Sequence, residues 1–297
     1  MRLAVLGCVL VLAACVPAAP PPAPAALYII GEPYQLGGVW SYPREDFGLT
    51  GTGLAAVAAD TRAGRRTANG EIHDPAALTA AHRTLQLPAI LRVTNLENGL
   101  ELDVRVNDRG PASPGRVLEL SRRAAELLGV PAGGTAQIRI AVQSEPSRAL
   151  AAGLPATETP RLTVAAAPVG AVGREDLAPP PGASQSARIR EARPLPGARA
   201  ETVGASAATA PPARLPERVT RTAPAPGALY VEAATFSRRD LADRQAARLG
   251  GRVEVQGPRG RQTFRVRIGP LRSVAEADRA LEGSLRAGVS EARIVVD

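Results

Sequence analysis

The first domain is decided by residues 90–107, which read Ile90-Leu-Arg-Val-Thr-Asn-Leu-Glu-Asn-Gly-Leu-Glu-Leu-Asp-Val-Arg-Val-Asn107. The pattern predicts a strand over 90–96, a turn at Glu97-Asn98-Gly99, and a strand over 100–107 in which apolar and polar residues alternate. An Asn-Gly pair between two such runs is typical of a β-hairpin. We therefore expect residues 90–107 to form a hairpin with one buried face.

Short elements follow the hairpin. Residues 121–128 predict a helix, which Ser121 can cap and Gly129 can end in the left-handed conformation. Residues 137–142 predict a closing strand. Short strands with one helix favour a small, mainly β barrel over residues 28–143.

Residues 227–297 form a second predicted domain. Its predicted elements are a strand at 229–233, a helix from Ser237-Arg-Arg-Asp240 to Leu249, strands at 252–256 and 262–268, a helix opened by Ser273-Val-Ala-Glu276, and a strand at 292–296. Both helix starts read as capping boxes. The order strand, helix, two strands, helix, strand is the α/β ferredoxin-like pattern.

Between the two domains, residues 144–226 are rich in Pro, Ala, Arg and Ser and show no strand or helix period. Such a segment buries too little apolar surface to offset its ordering entropy. We expect a disordered linker that tethers the second domain to the barrel at a flexible distance.

The N-terminus reads as a lipoprotein leader. Arg2 precedes an apolar run, and Leu12-Ala-Ala-Cys15 resembles a lipobox, which predicts a signal peptide at 1–14 and lipidation of Cys15. A Pro/Ala tether completes residues 15–27. An ordinary secretory signal with an unrelated cysteine is the alternative. Val16 is not the aspartate that retains lipoproteins at the inner membrane, which favours a periplasmic protein anchored in the outer membrane.

Charge and cysteine usage restrict the partners. The net charge is +8, and for an exported chain this favours anionic cell-wall or membrane surfaces over nucleic acid. Cys8 and Cys15 both lie in the leader region, so the mature chain has no pair for a disulfide. His73 and His82 have no cysteines or third histidine with them, so we expect neither a metal site nor a cofactor.

Several motifs occur in one order and together resemble the rare lipoprotein A (RlpA) family of septal lytic transglycosylases. They include Tyr28-Ile-Ile-Gly31, Arg66-Thr-Ala-Asn-Gly-Glu71, Leu78-Thr-Ala-Ala-His82, Arg105-Val-Asn-Asp-Arg-Gly-Pro111 and Leu120-Ser-Arg122. The resemblance implies a double-psi β-barrel that cuts MurNAc–GlcNAc bonds of denuded peptidoglycan strands and leaves 1,6-anhydroMurNAc ends. It also implies catalytic positions at Asp108, His82 and Glu71, and substrate contacts at Asn69 and Arg109.

This chemistry needs a proton on the glycosidic oxygen and a base for the C6 hydroxyl of the same sugar. One carboxyl can do both in turn, and Asp108 is our candidate. We expect His82 to hydrogen-bond Asp108 and tune its proton affinity, and Glu71 to orient substrate or share the charge. The alternatives are a turn role for Asp108 and a structural role for His82.

One departure from the family favours a different function. Family members carry Ala-Ser-Trp-Tyr-Gly and then a Phe-His pair before the Thr-Ala-Asn-Gly-Glu segment. This chain has Ala55-Ala-Val-Ala-Ala59 and Arg62-Ala-Gly64 instead. The loss of sugar-stacking aromatic residues supports the alternative of a non-catalytic septal peptidoglycan-binding lipoprotein.

The second domain resembles a SPOR domain through Tyr230-Val-Glu-Ala-Ala-Thr-Phe-Ser237, Phe264-Arg-Val-Arg-Ile-Gly-Pro270 and Ala292-Arg-Ile-Val-Val296. SPOR domains bind glycan strands stripped of stem peptides at the division septum, so septal enrichment and contact with division-machinery proteins follow. Strand alternation directs Phe264, Val266 and Ile268 to the helices. The substrate contacts expected on the open sheet face are Glu232, Thr235, Thr263, Arg265 and Arg267. A solvated arginine face is the alternative.

Overall fold

The structure is a computed structural model that describes residues 25–156, 214–258 and 260–297. The predicted leader with Cys15 and most of the predicted linker therefore lie outside the described residues. The elements of the first domain are β1 (Tyr34–Leu36), β2 (Val39–Ser41), β3 (Thr50–Val57), β4 (Thr79–Ala81), β5 (Ala89–Asn95), β6 (Leu100–Asp108), β7 (Arg116–Leu120), α1 (Arg122–Leu127), β8 (Thr135–Val142) and α2 (Ser144–Ala152). One 3₁₀ turn, Asp60–Arg62, follows β3.

Six strands close into the expected double-psi β-barrel. The strand order is β4-β7-β3-β8-β5-β6, and a parallel pairing of β4 with β6 closes the barrel. The predicted hairpin is β5–β6, with Ala89 opposite Val106 and Thr94 opposite Glu101. Its alternating apolar residues fill the barrel core together with residues of β3, β7, α1 and β8.

The helix prediction for the barrel is also confirmed. Ser121 caps α1 by accepting a hydrogen bond from Ala124 N, and Gly129 follows the helix with a φ of 69°. The left-handed conformation is one that glycine adopts without a steric penalty from Cβ. Ser121 alone separates α1 from β7, in which Glu119 lies between Leu118 and Leu120.

The second domain has the predicted ferredoxin-like order. Its elements follow a short strand β9 (Thr220–Arg221) and are β10 (Leu229–Phe236), α3 (Arg239–Leu249), β11 (Arg252–Gln256), β12 (Thr263–Leu271), α4 (Val274–Arg286) and β13 (Arg293–Val296). The antiparallel sheet has the order β11-β12-β10-β13. Phe264, Val266 and Ile268 pack in the apolar clusters under the helices, as the alternation predicts.

One of the two predicted capping boxes does not form. Ser273 caps α4 by accepting from Glu276 N at 3.2 Å, as predicted. Helix α3 instead begins one residue later than the motif requires, and Arg238 precedes it without a side-chain cap. The Asp240 carboxylate binds the guanidinium of Arg238 at 2.7 Å, so it does not serve the helix start.

Both described ends of the predicted linker are ordered, which corrects the boundaries 144–226. Residues 144–152 form α2, whose buried Ser147 accepts a hydrogen bond from Ile90 N at 2.9 Å. At the other end, β9 pairs with β6. Composition did not predict these contacts because the barrel supplies the partners, and the segment itself carries no strand or helix period.

The second domain also packs directly on the barrel. Leu54 and Leu96 of the barrel share one buried apolar cluster with Leu281 and Ile294. The expectation of a separate, loosely tethered domain is therefore corrected, because apolar surface of both domains is buried in this contact. Across the described residues, the helices are too short or too polar to span a membrane.

Candidate active site

Asp108 ends β6, where the strand leaves the barrel. Its Oδ1 accepts hydrogen bonds from Ala68 N at 2.9 Å and Arg109 N at 2.8 Å, and its Oδ2 contacts a guanidinium nitrogen of Arg62. The parallel pairing of β4 with β6 places Ala81 beside Asp108. The carboxylate is therefore held in one orientation by main-chain donors and one cation.

Arg62 brings a second carboxylate to the same place. Its Nη1 lies 3.5 Å from Oε2 of Glu119, which belongs to β7. Asp108, Glu119 and Arg62 line one small pocket together with Asn107 and Ser121. The pocket thus joins the ends of two barrel strands with the 3₁₀ turn that follows β3.

The Glu119 carboxyl has an unusual proton affinity. Burial is the main cause that raises its pKa, and the negative charge of Asp108 raises it further. The positive charge of Arg62 lowers the pKa but does not outweigh these two effects. A carboxyl with a raised pKa in a pocket is typical of a group that exchanges protons with a substrate.

Glu71 has a different environment from the one expected. Arg105 Nη2 lies 2.6 Å from its Oε1, Asn107 Nδ2 donates to Oε2 at 2.8 Å, and Asn69 Nδ2 donates to Oε1 at 2.9 Å. Burial tends to raise the pKa of Glu71, but these hydrogen bonds and the charge of Arg105 together lower it. Glu71 is thus an ionised, enclosed group next to Asp108, and its partners already satisfy it.

The two predicted substrate contacts of the barrel are both used inside the protein. Asn69 is 0% exposed and its amide donates to Glu71, so its contact with substrate stays a prediction. Arg109 donates to the Leu85 carbonyl at 2.5 Å and to the Ile30 carbonyl. These interactions connect the loop after β4 with the start of the domain, because guanidinium groups can bind several carbonyls at once.

The expected hydrogen bond between His82 and Asp108 side chains is absent from the described residues. The His82 main-chain N donates to the Asp108 carbonyl at 3.1 Å, while the imidazole Nδ1 accepts from Thr84 N and Leu85 N at 3.2 Å each. Burial, and then the charges of Arg109 and Arg83, lower its pKa to about 4. The imidazole is therefore neutral near pH 7, with its proton on Nε2.

The predicted glycan face of the second domain lies on β10, β12 and β13. Arg265 and Arg293 both bind the Glu232 carboxylate, at 3.0 Å and 2.5 Å, so these three side chains share one side of the sheet. Arg267 lies over the Tyr230 ring at 4.1 Å and pairs with acidic side chains. Thr235 is exposed and Thr263 half-buried. The expectation of an open face is corrected for Glu232 and Arg267, which are buried.

Sequence reasoning missed Arg62 and Glu119. The available signal for Glu119 was a charged residue between Leu118 and Leu120 in a strand directly before a helix cap. No local pattern marks Arg62, which lies 46 residues from Asp108 in the chain. Within the described ranges, no group of three or more His, Cys, Asp and Glu side chains is placed to hold a metal ion.

Comparison with known proteins agrees with this architecture. A family model described as lytic transglycolase matches residues 54–140, and a SPOR domain model matches residues 225–294. The endolytic peptidoglycan transglycosylase RlpA of Pseudomonas aeruginosa is 32% identical over 290 residues, which cover 89% of this chain and 76% of that protein. The chain belongs to the RlpA family. The Yersinia pestis protein of the same name is 56% identical over 78 residues, covering 26% of this chain and 22% of that protein.

The stretch expected to differ from the family, Ala55–Ala59, lies on β3 and in the two residues after that strand. Ala55 lies in the barrel core on β3, and Arg62 stands shortly after that strand. Its guanidinium binds the two carboxylates of the pocket. From this part of the chain, Ala58 and Arg62 line the pocket that holds Asp108 and Glu119.

Proposed function

We propose that this chain is an endolytic peptidoglycan transglycosylase that cleaves MurNAc–GlcNAc bonds of denuded glycan strands. One observation carries the proposal: Asp108 and Glu119, two carboxyl groups of different environment, share Arg62 in one pocket of a lytic transglycosylase domain. Acid–base cleavage of a glycosidic bond needs a carboxyl group placed in this way.

Asp108 serves as the acid and then as the base. It gives a proton to the glycosidic oxygen, the bond from that oxygen to C1 of MurNAc breaks, and GlcNAc leaves with a 4-hydroxyl. The C6 oxygen of the same MurNAc then bonds to C1, and Asp108 takes the C6 hydroxyl proton. The products are a shorter strand and a 1,6-anhydroMurNAc end, and Asp108 regains its proton.

Glu119 supports this cycle by exchanging protons within the pocket. Its raised pKa favours the protonated form compared with an ordinary glutamate, and its distance to Arg62 is 3.5 Å. Because Arg62 also contacts Asp108, movement of the guanidinium changes the charge balance of both groups.

Glu71 and His82 have supporting roles in the reaction that Asp108 carries out. Glu71 holds Asn107 and Arg105, so it positions the end of the strand that carries Asp108. His82 is neutral, and its Nε2–H can donate to a sugar oxygen. In this assignment Glu71 is a positioning residue, while His82 contacts the substrate.

A second candidate function is a non-catalytic septal peptidoglycan-binding lipoprotein. The Ala55–Ala59 stretch, which lacks the aromatic residues of the family, favours it. Contact of Arg62 with Asp108 also favours it, because the acid must part from this cation to reach a substrate. Both functions use the SPOR domain to bind denuded glycan at the septum.

Product analysis separates the two. Purified lipid-free chain is incubated with denuded glycan strands, and the products are examined by mass spectrometry. An enzyme releases fragments with 1,6-anhydroMurNAc ends, each lighter by one water than a hydrolysis product. Binding without any such fragments would leave the non-catalytic function.

The proposed location follows from the leader. A diacylglyceryl and acylated Cys15 anchors the chain in the outer membrane, with its domains in the periplasm and enriched at the septum, where division-machinery proteins are its partners. More than one acyl chain gives stable anchoring, because each buried CH₂ contributes about 0.8 kcal/mol. Support for this part of the proposal is the Leu12-Ala-Ala-Cys15 motif.

A further inference from the structure

A cleft of about 520 Å³ lies between the barrel and the sheet of the second domain. One wall holds Trp40, Tyr42 and His82, and the other holds Glu232, Arg265 and Arg293. The volume falls within the range of about 300–1,000 Å³ found for ligand sites. Asp108 and Glu119 do not line the cleft, and His82 is the one residue of its lining that the mechanism above uses.

The barrel wall presents two large aromatic rings to solvent. Trp40 is 51% exposed and Tyr42 is 61% exposed, whereas Ser41 between them is buried. Residues two apart in an extended chain lie on the same side, so both rings face the same way. Flat aromatic surfaces of this kind can bind the C–H faces of sugar rings, and exposed apolar groups that lie together are typical of ligand-binding grooves.

The β1–β2 hairpin, which carries Trp40, is held in place by the side chain of Arg83. Arg83 Nη1 donates to the Leu36 carbonyl at 3.1 Å and lies 3.3 Å from Ser41 Oγ. Gly37, with a φ of 59°, lies so close to the Ala112 carbonyl that a Cβ would clash. The rings therefore stand on a fixed support, which lowers the cost of ordering them on binding.

The opposite wall is charged and has unused donors. The Nε–H groups of Arg265 and Arg267 are buried and have no hydrogen-bond acceptor among the described residues. Six arginines and three acidic residues line the cleft as a whole, so it is positive. Glycan stripped of stem peptides keeps a lactyl carboxylate on each MurNAc, and guanidinium groups bind carboxylates well.

The cleft also reaches the strand that positions the acid. His82 lines it and directly follows Ala81, which pairs with Asp108 across β4 and β6. The neutral imidazole with its Nε2–H is therefore a donor in this wall. A ligand in the cleft can therefore contact His82, which follows the strand that pairs with the end of β6.

We propose that one denuded glycan strand occupies this cleft, with sugar rings on Trp40 and Tyr42 and lactyl carboxylates on the arginines of the second domain. The inference rests on the proposed function, because it takes the same glycan as substrate. The barrel and the second domain then bind a single ligand between them. A strand bound there also contacts His82, which lines the cleft.

Trp40 provides a direct probe, since the chain has one tryptophan. Denuded glycan strands, prepared by amidase digestion of peptidoglycan, are titrated into the lipid-free chain while tryptophan emission is recorded. We expect a saturable change in emission. Arg293→Gln, on the opposite wall, should weaken the affinity reported by Trp40 about tenfold or more, because it removes a charge-assisted contact.

Arg92→Gln is the matched control. Arg92 is an exposed arginine on β5 that pairs with Asp103 and does not line the cleft. Its loss should leave the titration unchanged. Calorimetry with Trp40→Ala should show the same loss of affinity as Arg293→Gln, and circular dichroism checks that each variant is folded.

Two results would overturn the inference. One is glycan that co-sediments with the chain while Trp40 emission stays constant, and the other is full affinity in Arg293→Gln. Neither depends on catalysis. Conversely, a normal titration with no 1,6-anhydro products refutes the proposed enzyme and leaves the cleft as a binding site.

Discussion

The carboxylates of Asp108 and Glu119 bind to the same guanidinium, that of Arg62. One nitrogen of Arg62 contacts Asp108 Oδ2, and the other lies 3.5 Å from Glu119 Oε2. The two acids come from different strands, β6 and β7, and meet only because the barrel is closed. Their charges therefore influence each other, and a change in one should be measurable at the other.

Asp108→Asn tests the acid. The substitution keeps the size of the side chain and removes its titratable proton, so release of 1,6-anhydro products should fall by about 10²- to 10⁴-fold. Glycan binding should persist. Asp103→Asn on the same strand is the control, because Asp103 pairs with exposed Arg92 away from the pocket. Full activity of the Asp108 variant would show that another group is the acid.

The pKa of Glu119 should respond in opposite directions to two substitutions. Asp108→Asn removes a negative charge that raises this pKa, so the pKa should fall. Arg62→Gln removes the positive charge that lowers it, so the pKa should rise. Carbon-13 NMR of labelled glutamate carboxyl groups measures both. Equal shifts in the same direction would disprove the shared-cation arrangement.

The buried ion pair of Glu71 and Arg105 should be sensitive to loss of one partner. Arg105→Met leaves an unpaired buried carboxylate, and we expect a loss of about 3–5 kcal/mol in the free energy of unfolding. The double variant Glu71→Leu/Arg105→Met should be less destabilised than Arg105→Met alone. As a control, Arg92→Met breaks an exposed pair and should cost about 0–1 kcal/mol. Urea denaturation measures the free energy of unfolding of each variant. Equal losses of stability in Arg105→Met and Arg92→Met would contradict the expectation of a buried ion pair.

Stability should depend on His82 in mildly acidic solution. Its pKa is about 4 in the folded chain, below the ordinary 6.5, so the unfolded chain takes up the proton first as the pH falls. The contribution is complete above about pH 6.5 and decreases towards pH 4, by about 3 kcal/mol in total. The lowered pKa of Glu71 also contributes to stability, but this contribution decreases only below about pH 4.5, where the unfolded chain begins to protonate Glu71.

The measurement is urea denaturation between pH 7.5 and pH 5. His82→Gln should be less stable at pH 7.5 but should lose less stability on acidification than the parent chain. His73 is present in both proteins, so the difference isolates His82. Parallel pH curves for the two proteins would mean that folding does not lower the pKa of His82.

Cys15→Ala tests the lipid anchor. The thiol is the group that accepts diacylglycerol, so the variant should accumulate as unprocessed precursor and should incorporate no labelled fatty acid. Cys8→Ala is the matched control, because Cys8 lies inside the predicted leader and should be dispensable. Normal processing of Cys15→Ala would exclude lipidation at this position.

Much of the fold could be predicted from residues close together in the chain. The hairpin β5–β6 follows from alternation on both sides of Asn98-Gly99, and α1 follows from Ser121 and Gly129. Where a prediction failed, a competing contact was responsible. The capping box at Ser237 failed because Asp240 binds Arg238 and Arg244 instead of the helix start.

The candidate site could be predicted only in part. The motifs indicated Asp108, His82 and Glu71, and the described contacts connect them through neighbouring groups: His82 N donates to the Asp108 carbonyl, and Asn107 donates to Glu71. Their individual partners were not predictable. Whether a carboxylate faces a substrate or a buried arginine depends on which strand lies beside it, and a motif does not contain that information.

The sequence by itself determined the β5–β6 hairpin, helix α1, the ferredoxin-like order of the second domain and the family, because alternation, turns and helix caps act within a few residues. Only the tertiary structure decided that Arg62 and Glu119 join Asp108, that Asn69 is enclosed beside Glu71, and that the second domain shares a core with Leu54. These relationships arise from barrel closure and from apolar burial between segments far apart in the chain. Their free energy depends on surfaces that exist only once the chain has folded.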